Sequence, residues 1–223
     1  MMPAVTHPLW PLYDLRLTTG DSQLGELVLR VPEEAELPAF VDLASRGIHP
    51  AEEMPFSIPW TDVASPRRER ESYQFYMRTR ATWSVDDWIL TLGVWLDSEP
   101  AGFQDLRAQQ FPALRTVATG SWLGRDFQGR GVGRLMRQAV LALAFDHLGA
   151  EVAETEAFLD NPASNRVSLA VGYRPNGFTR LLRRGVRAEA QRFRMTREDW
   201  QARSRPEVAV DGLEACRELF GAI

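Results

Sequence analysis

The stretch from Ser121 to Met136 reads SWLGRDFQGRGVGRLM, with glycines at 124, 129, 131 and 133 leading into an apolar helical stripe. A helix start offers unpaired backbone N–H groups and the positive end of the helix dipole, and glycine lets an anion approach the backbone closely. Arg125, Arg130 and Arg134 add positive charge at the same place. The run is read as a phosphate cradle.

Spacing narrows the ligand. Gly129, Gly131 and Gly133 form G-x-G-x-G rather than the G-x-G-x-x-G of a dinucleotide fold, and no carboxylate follows a later strand where a ribose would need one. Gly124 and Gly129 have the separation of a Walker A loop, but Arg130 stands where that loop needs lysine. All 26 basic residues are in fact arginine, which excludes Schiff-base chemistry on a lysine amine. His7, His49 and His147 are too scattered for a metal site, and the single Cys216 allows no intrachain disulfide and no Cys-rich zinc site. No metal is expected.

The elements that must position the cradle follow from apolar spacing. Residues 12–31 read as two short strands around a polar turn at 18–23, and Leu37, Phe40, Val41 and Ala44 keep helical spacing up to Gly47. Residues 49–66 are Pro-rich and apolar, too irregular for helix or strand, and serve either as the wall of a site or as packing. Ser65-Pro66 starts a helix to about Ala81; strands follow at 88–96, 100–108 and 114–123. The clearest helix runs from Gly133 to Leu148, with Leu135, Met136, Ala139, Val140 and Leu143 on one stripe. After it come a strand to residue 158, a short helix over Pro162–Val171, and a β-rich segment with a turn at Asn176-Gly177. The expected architecture is α+β, a mostly antiparallel central sheet flanked by helices, with one βαβ unit around the strong helix. Residues 1–200 form one domain, and 201–223 are a tail in which Leu213–Phe220 is expected to dock as a helix.

Two motifs in this order carry a resemblance. Gln128-Gly129-Arg130-Gly131-Val132-Gly133 is similar to the pyrophosphate loop of the GNAT superfamily of CoA-dependent N-acyltransferases. Asn161 and Ser164, with Gly172-Tyr173, resemble its second signature. Together with SWLGRDF they look most like the RimJ/RimL branch, the ribosomal-protein N-terminal acetyltransferases. The resemblance is specific over about 114–178.

It implies a sheet splayed between the strand ending at Leu123 and the strand at 152–158, with acetyl-CoA or another acyl-CoA lying in the V. Backbone N–H groups of Trp122 or Leu123 would hold the thioester carbonyl, and those of Gly129, Arg130, Gly131, Val132, Gly133 and Arg134 the pyrophosphate. Asn161 would contact the pantetheine arm and Ser164 would protonate the leaving sulfur, although Asn and Ser also begin helices as ordinary caps. Tyr173 is the alternative acid, or a core aromatic. The carboxylate that related enzymes carry on the following hairpin is missing, since that stretch reads TRLLRRGVR. Glu154 and Glu156 share one strand face by period-two alternation, and either is a candidate base or a solvated edge residue.

Seven arginines between 180 and 197 face only Glu189 in sequence. They are either a solvated hairpin or a grip for something acidic, such as the carboxylate of succinyl-CoA.

Composition supports a folded globular protein and little else. Of 223 residues, 44% are hydrophobic and 25% charged, which excludes disorder and collagen-like repeats, and a net charge of −4 argues against a protein that tracks nucleic acid. No apolar run is long enough to span a membrane, and the N-terminus lacks a basic segment followed by an apolar one, so a cytoplasmic location is expected. The function expected is transfer of an acetyl or related short acyl group to a primary amine: a protein N-terminus, a lysine or a small amine. The competing readings are a non-catalytic CoA-binding module and a nucleotide-binding protein. Oligomeric state is left open.

Overall fold

Nine strands hydrogen-bond into one sheet because most of them alternate, or lie wholly buried, between helices on both faces. The computed structural model describes residues 7–21 and 23–222. Residues 1–6, on which part of the N-terminal reading rests, and Ser22 in the first turn lie outside them. The strands are β1 (Arg16–Asp21), β2 (Gly25–Arg30), β3 (Asp87–Leu96), β4 (Glu99–Gln109), β5 (Thr116–Leu123), β6 (Val152–Phe158), β7 (Arg174–Arg183), β8 (Val186–Thr196) and β9 (Ala209–Asp211). Their order across the sheet is β7-β8-β6-β5-β4-β3-β2-β1-β9. Every pair is antiparallel except β5 with β6.

The helices are α1 (Leu37–Ser45), α2 (Arg67–Ala81), the single turn α3 (Phe111–Leu114), α4 (Val132–Ala142), α5 (Pro162–Val171) and α6 (Arg197–Gln201). In α4, Leu135, Met136, Ala139, Val140 and Leu141 are all buried, each large aliphatic contributing roughly 1.5–3 kcal/mol of burial. A wider π-helical turn, Leu143–His147, completes it. The β5–α4–β6 crossover supplies the one parallel pair, as the sequence predicts. On the opposite face Phe40 of α1 and Tyr76 of α2 pack on Trp95 and Phe103.

Several local expectations are corrected. The first strand begins at Arg16 rather than at 12, because Pro11–Tyr13 forms a 3-10 turn. Likewise β5 begins after α3, since Pro112 sits at a helix start and Arg115 turns the chain with φ +45. Asn176-Gly177 is a bulge inside β7, where the register shifts between Pro175 and Phe178. The hairpin instead turns at Arg184-Gly185, whose φ values of +50 and +78 suit a two-residue connection. In the tail, β9 adds to the outer edge of β1, and the expected helix over Leu213–Phe220 is reduced to a 3-10 turn at Arg217–Phe220. Phe220 is buried edge-on against Trp83 and Trp88, and the Trp83 indole donates to the Leu219 carbonyl at 2.9 Å.

Candidate functional site

β5 and β6 pair over only three positions, Thr116 with Val152, Val117 with Ala153 and Ala118 with Glu154. Beyond them β5 stays paired to β4 as far as Leu123, and β6 to β8 as far as Phe158. Each strand follows its outer neighbour, so the inner edges part. Thr155 Oγ1 donates to the Thr119 carbonyl at 3.0 Å and caps the apex of the V. A cavity of about 1060 Å³ fills the opening, enough for a large cofactor-like ligand.

At the wide end lies the glycine loop. A 3-10 turn, Arg125–Phe127, follows Gly124, and Gly129 and Gly131 have φ of +71 and +95. Gly131 caps α4 with no side-chain partner for the first-turn N–H groups. A Cβ on Gly129 would meet nothing within 4 Å, so open space stands over the backbone there. Gly129, Gly131, Gly133 and Arg134 all line the cavity. Gln128 also lines it, but its amide donates to the Leu123 and Ile48 carbonyls, both at 2.8 Å, and so braces the loop. Val132 is 1% exposed and belongs to the core, while the Arg130 side chain donates to the Asp126 carbonyl at 3.3 Å and lies outside the cavity wall. Neither side chain lines the cavity.

Asn161 and Ser164 both line the cavity, and the Asn161 side chain accepts from the Ser164 N–H at 3.1 Å. The capping role and a ligand-facing position thus coexist. Trp122 and Leu123 line the β5 side. The remaining candidates separate. Tyr173 is buried behind β5, its hydroxyl 3.1 Å from Thr119 Oγ1, and it lies outside the cavity wall. Burial pushes its phenol up from the usual value, which suits a core residue. Glu154 faces Arg192 at 3.8 Å and is also outside the wall; Glu156 lines the cavity from an exposed position.

Two residues on opposite faces of the V had escaped the sequence reading. Arg137 of α4 is 3% exposed and lines the cavity. Its guanidinium donates to Ser121 Oγ at 3.0 Å, Gln104 Oε1 at 3.3 Å and Thr155 Oγ1 at 3.4 Å, and no described carboxylate pairs with it. A buried cation held only by neutral groups carries a large desolvation cost. Asp105 of β4 lines the cavity from the other face. Burial pushes its carboxyl up from 3.8 to about 7, with Arg107 and then Arg137 pulling the other way. The available signal was a lone acid between Phe103 and Arg107 on one face of a central strand.

The hairpin arginines do not reach the cavity. Arg183 grips Asp160 at 2.7 and 2.8 Å, and Arg184 grips Asp62 at 2.7 and 2.6 Å. Both cations are neutralised by bidentate pairs, so neither is available for the carboxylate of a donor. The segment they clamp, with Phe56, Ile58 and Trp60, forms one cavity wall, which decides between the two readings of residues 49–66. Cys216 is buried in the tail, its thiol pushed up to about 12 by burial, and is unsuited to act as a nucleophile. Among the described residues no cluster of His, Cys, Asp or Glu could hold a metal ion, and no helix is long and apolar enough to cross a membrane.

Residues 26–174 match the sequence model of the Acetyltransferase (GNAT) domain. Among solved structures, Mycobacterium smegmatis RimJ in complex with CoA-disulfide is similar at TM-score 0.65 and 17% identity, covering 88% of this chain and 98% of that one. RimL, a ribosomal L7/L12 alpha-N-protein acetyltransferase in complex with coenzyme A, aligns at TM-score 0.64 and 17% identity, covering 80% and 97%. An acetyl transferase from Salmonella typhimurium that modifies the N-terminal serine of ribosomal protein L7/L12 aligns at TM-score 0.62 and 18% identity, covering 76% and 94%.

Proposed function

Because this chain belongs to the acetyltransferase (GNAT) family, we propose that it moves an acetyl or related short acyl group from acyl-CoA to a primary amine by direct attack in a ternary complex. The observation that carries this reading is the union of a glycine-lined helix start with the parting of β5 and β6 in one cavity. The residues fit the donor. Open space over Gly129 and the free N–H groups at the start of α4 accept a pyrophosphate, Arg125 and Arg134 add charge, and Asn161 stands beside the path of the pantetheine arm.

The chemistry follows from the charges that develop. The amine nitrogen forms a bond to the thioester carbon, the carbonyl electrons move to oxygen, and N–H groups on the free inner edge of β5 at Trp122 or Leu123 stabilise that oxyanion. Collapse breaks the C–S bond, and the electron pair leaves on sulfur, where the Ser164 hydroxyl supplies a proton directly or through water and regains one from the nitrogen, which sheds it on becoming the amide. No covalent enzyme intermediate is required. Acceptors to compare are an N-terminal peptide of a ribosomal protein, as the RimJ and RimL likeness prompts, a lysine peptide and small amines. The reading places the reaction in the cytoplasm.

A second reading of the donor rests on Arg137. Its unpaired, buried guanidinium between β5 and β6 would complete its hydrogen bonds with a carboxylate at the acyl end, as in succinyl-CoA. The test is to measure binding and turnover of acetyl-, propionyl-, malonyl- and succinyl-CoA by the wild type and by Arg137→Gln. A preference of about tenfold or more for the carboxylated donors, lost in the variant, supports this second reading. Equal use of all four leaves acetyl transfer and assigns Arg137 to bracing the V. Failure of every CoA thioester to bind removes the acyltransfer reading itself.

A further inference from the structure

The proposed reaction leaves one proton without a destination. A primary amine at neutral pH is an ammonium, which has no lone pair for attack, so a group on the acceptor side must take its proton first. None of the sequence-derived candidates is well placed: Glu154 faces Arg192 outside the cavity, and Glu156 sits exposed on its rim.

Asp105 is different in position and in surroundings. In the β4–β5 register it stands opposite Gly120, two positions from the Phe103–Trp122 pair and on the same face. Gly120 has no side chain to cover it, and a Cβ there would meet Asp105 Oδ2 at 3.8 Å. The carboxylate therefore overlies the inner strand of the V two residues from Trp122. Its face of the sheet is the one covered by α1 and α2, opposite the face on which Arg137 reaches Ser121 and Gln104. A donor lying in the V would be met from that face by an acceptor entering between α2 and the 49–66 wall. Among the described residues the Asp105 carboxylate has no hydrogen-bond or ion-pair partner, so both oxygens are free to accept.

We infer that Asp105 is the general base of the transfer, resting on the proposed acyl-CoA reaction and assigned by its place over Gly120 on the acceptor face of the cavity. It takes one proton from the ammonium, the amine lone pair then attacks, the second nitrogen proton passes by way of Ser164 to the sulfur as the C–S bond breaks, and the proton on Asp105 returns to water through the cavity mouth. The charged and titratable groups that act on it are Arg107 on its own strand, Arg137 on α4 and Tyr76 on α2, and Glu71 and Arg78 of α2 and Glu156 of β6 line the same cavity. A carboxyl poised near neutrality is matched to an amine deprotonation at physiological pH.

The experiment compares the wild type, Asp105→Asn and Asp105→Glu, using acetyl-CoA with two acceptors, an alkylamine and hydroxylamine, which is already unprotonated at neutral pH. Expected for Asp105→Asn is a fall in kcat/KM of about 100-fold or more with the alkylamine, loss of the acidic limb of the pH profile near neutrality, and unchanged CoA affinity. Hydroxylamine should be used nearly as well by the variant as by the wild type, and Asp105→Glu should regain part of the alkylamine rate. An active wild type matched by Asp105→Asn in rate and pH profile overturns the inference alone. So does an equal loss with both acceptors, which marks a structural role. A wild type that binds acetyl-CoA but acylates neither amine overturns the acyltransfer reading and this inference with it.

Discussion

Arg183, on the last position of β7, takes both carboxylate oxygens of Asp160, the residue that precedes the cap of α5. The same guanidinium lies 4.4 Å from the centre of the Phe158 ring and donates to the Met54 carbonyl at 3.4 Å. One side chain thus joins the hairpin, the end of β6 and the wall of the cavity. Arg184 repeats the device on Asp62.

Removing this clamp should loosen the acceptor wall without changing donor choice. Because Asp160 is largely exposed, Arg183→Ala is expected to cost no more than about 1 kcal/mol, a fall in Tm of about 2–4 °C. Arg183 holds the Asp160 carboxyl below its ordinary 3.8, so the stabilisation is complete above that value and is lost as pH falls through the depressed one. Calorimetry of both proteins should show their Tm difference closing in strong acid, with the ratio of acetyl- to succinyl-CoA use unaltered at neutral pH.

Gly131→Val should abolish most CoA binding. Its φ of +95 is strained for a β-branched residue, and the added Cβ would press on Leu24 Cδ1 at 3.4 Å, so the loop that presents the α4 N–H groups must shift. Calorimetric titration with CoA should report at least a tenfold weaker Kd in a variant whose circular dichroism is native. Equal affinity would sink the cradle.

For Ser164, the expected result of Ser164→Ala is a loss of about tenfold in kcat with CoA affinity little changed, because a proton donor to the departing sulfur acts in the transition state. Asn161→Ala should differ by also lowering stability, by about 1 kcal/mol, through the lost cap on the Ser164 N–H. Unchanged thiol release by Ser164→Ala at saturating substrate would transfer the acid role to water, since Tyr173 lies behind β5.

Asp105 should also leave a mark on stability. Its folded value of about 7 lies above the ordinary 3.8, so between these the folded state binds the extra proton and stability falls as pH rises through that window. Asp105→Asn is expected to lack this decline and to be the more stable protein at pH 8. Urea titrations at pH 5 and pH 8 check the sign; a variant less stable than the wild type at pH 8 would contradict the burial of an ionised carboxylate.

Local chemistry was legible in the sequence because it depends on neighbours along the chain. The glycines at 129, 131 and 133 before an apolar stripe specify a helix start open to an anion, and Asn161 three residues before Ser164 specifies a cap, whatever surrounds them. The βαβ crossover could be read for the same reason, from 3.6-residue periodicity between two strand-like runs. The hairpin turn could not: Asn176-Gly177 has the better turn composition, but the pairing of β7 with β8 left it as a bulge and placed the turn at Arg184-Gly185. The arginine stretch looked free because its acidic partners, Asp62 and Asp160, are distant in sequence. Asp105 and Arg137 were invisible for the converse reason. Their significance comes from desolvation beside a cavity, and desolvation is a property of everything packed around a group, which only the tertiary structure decides.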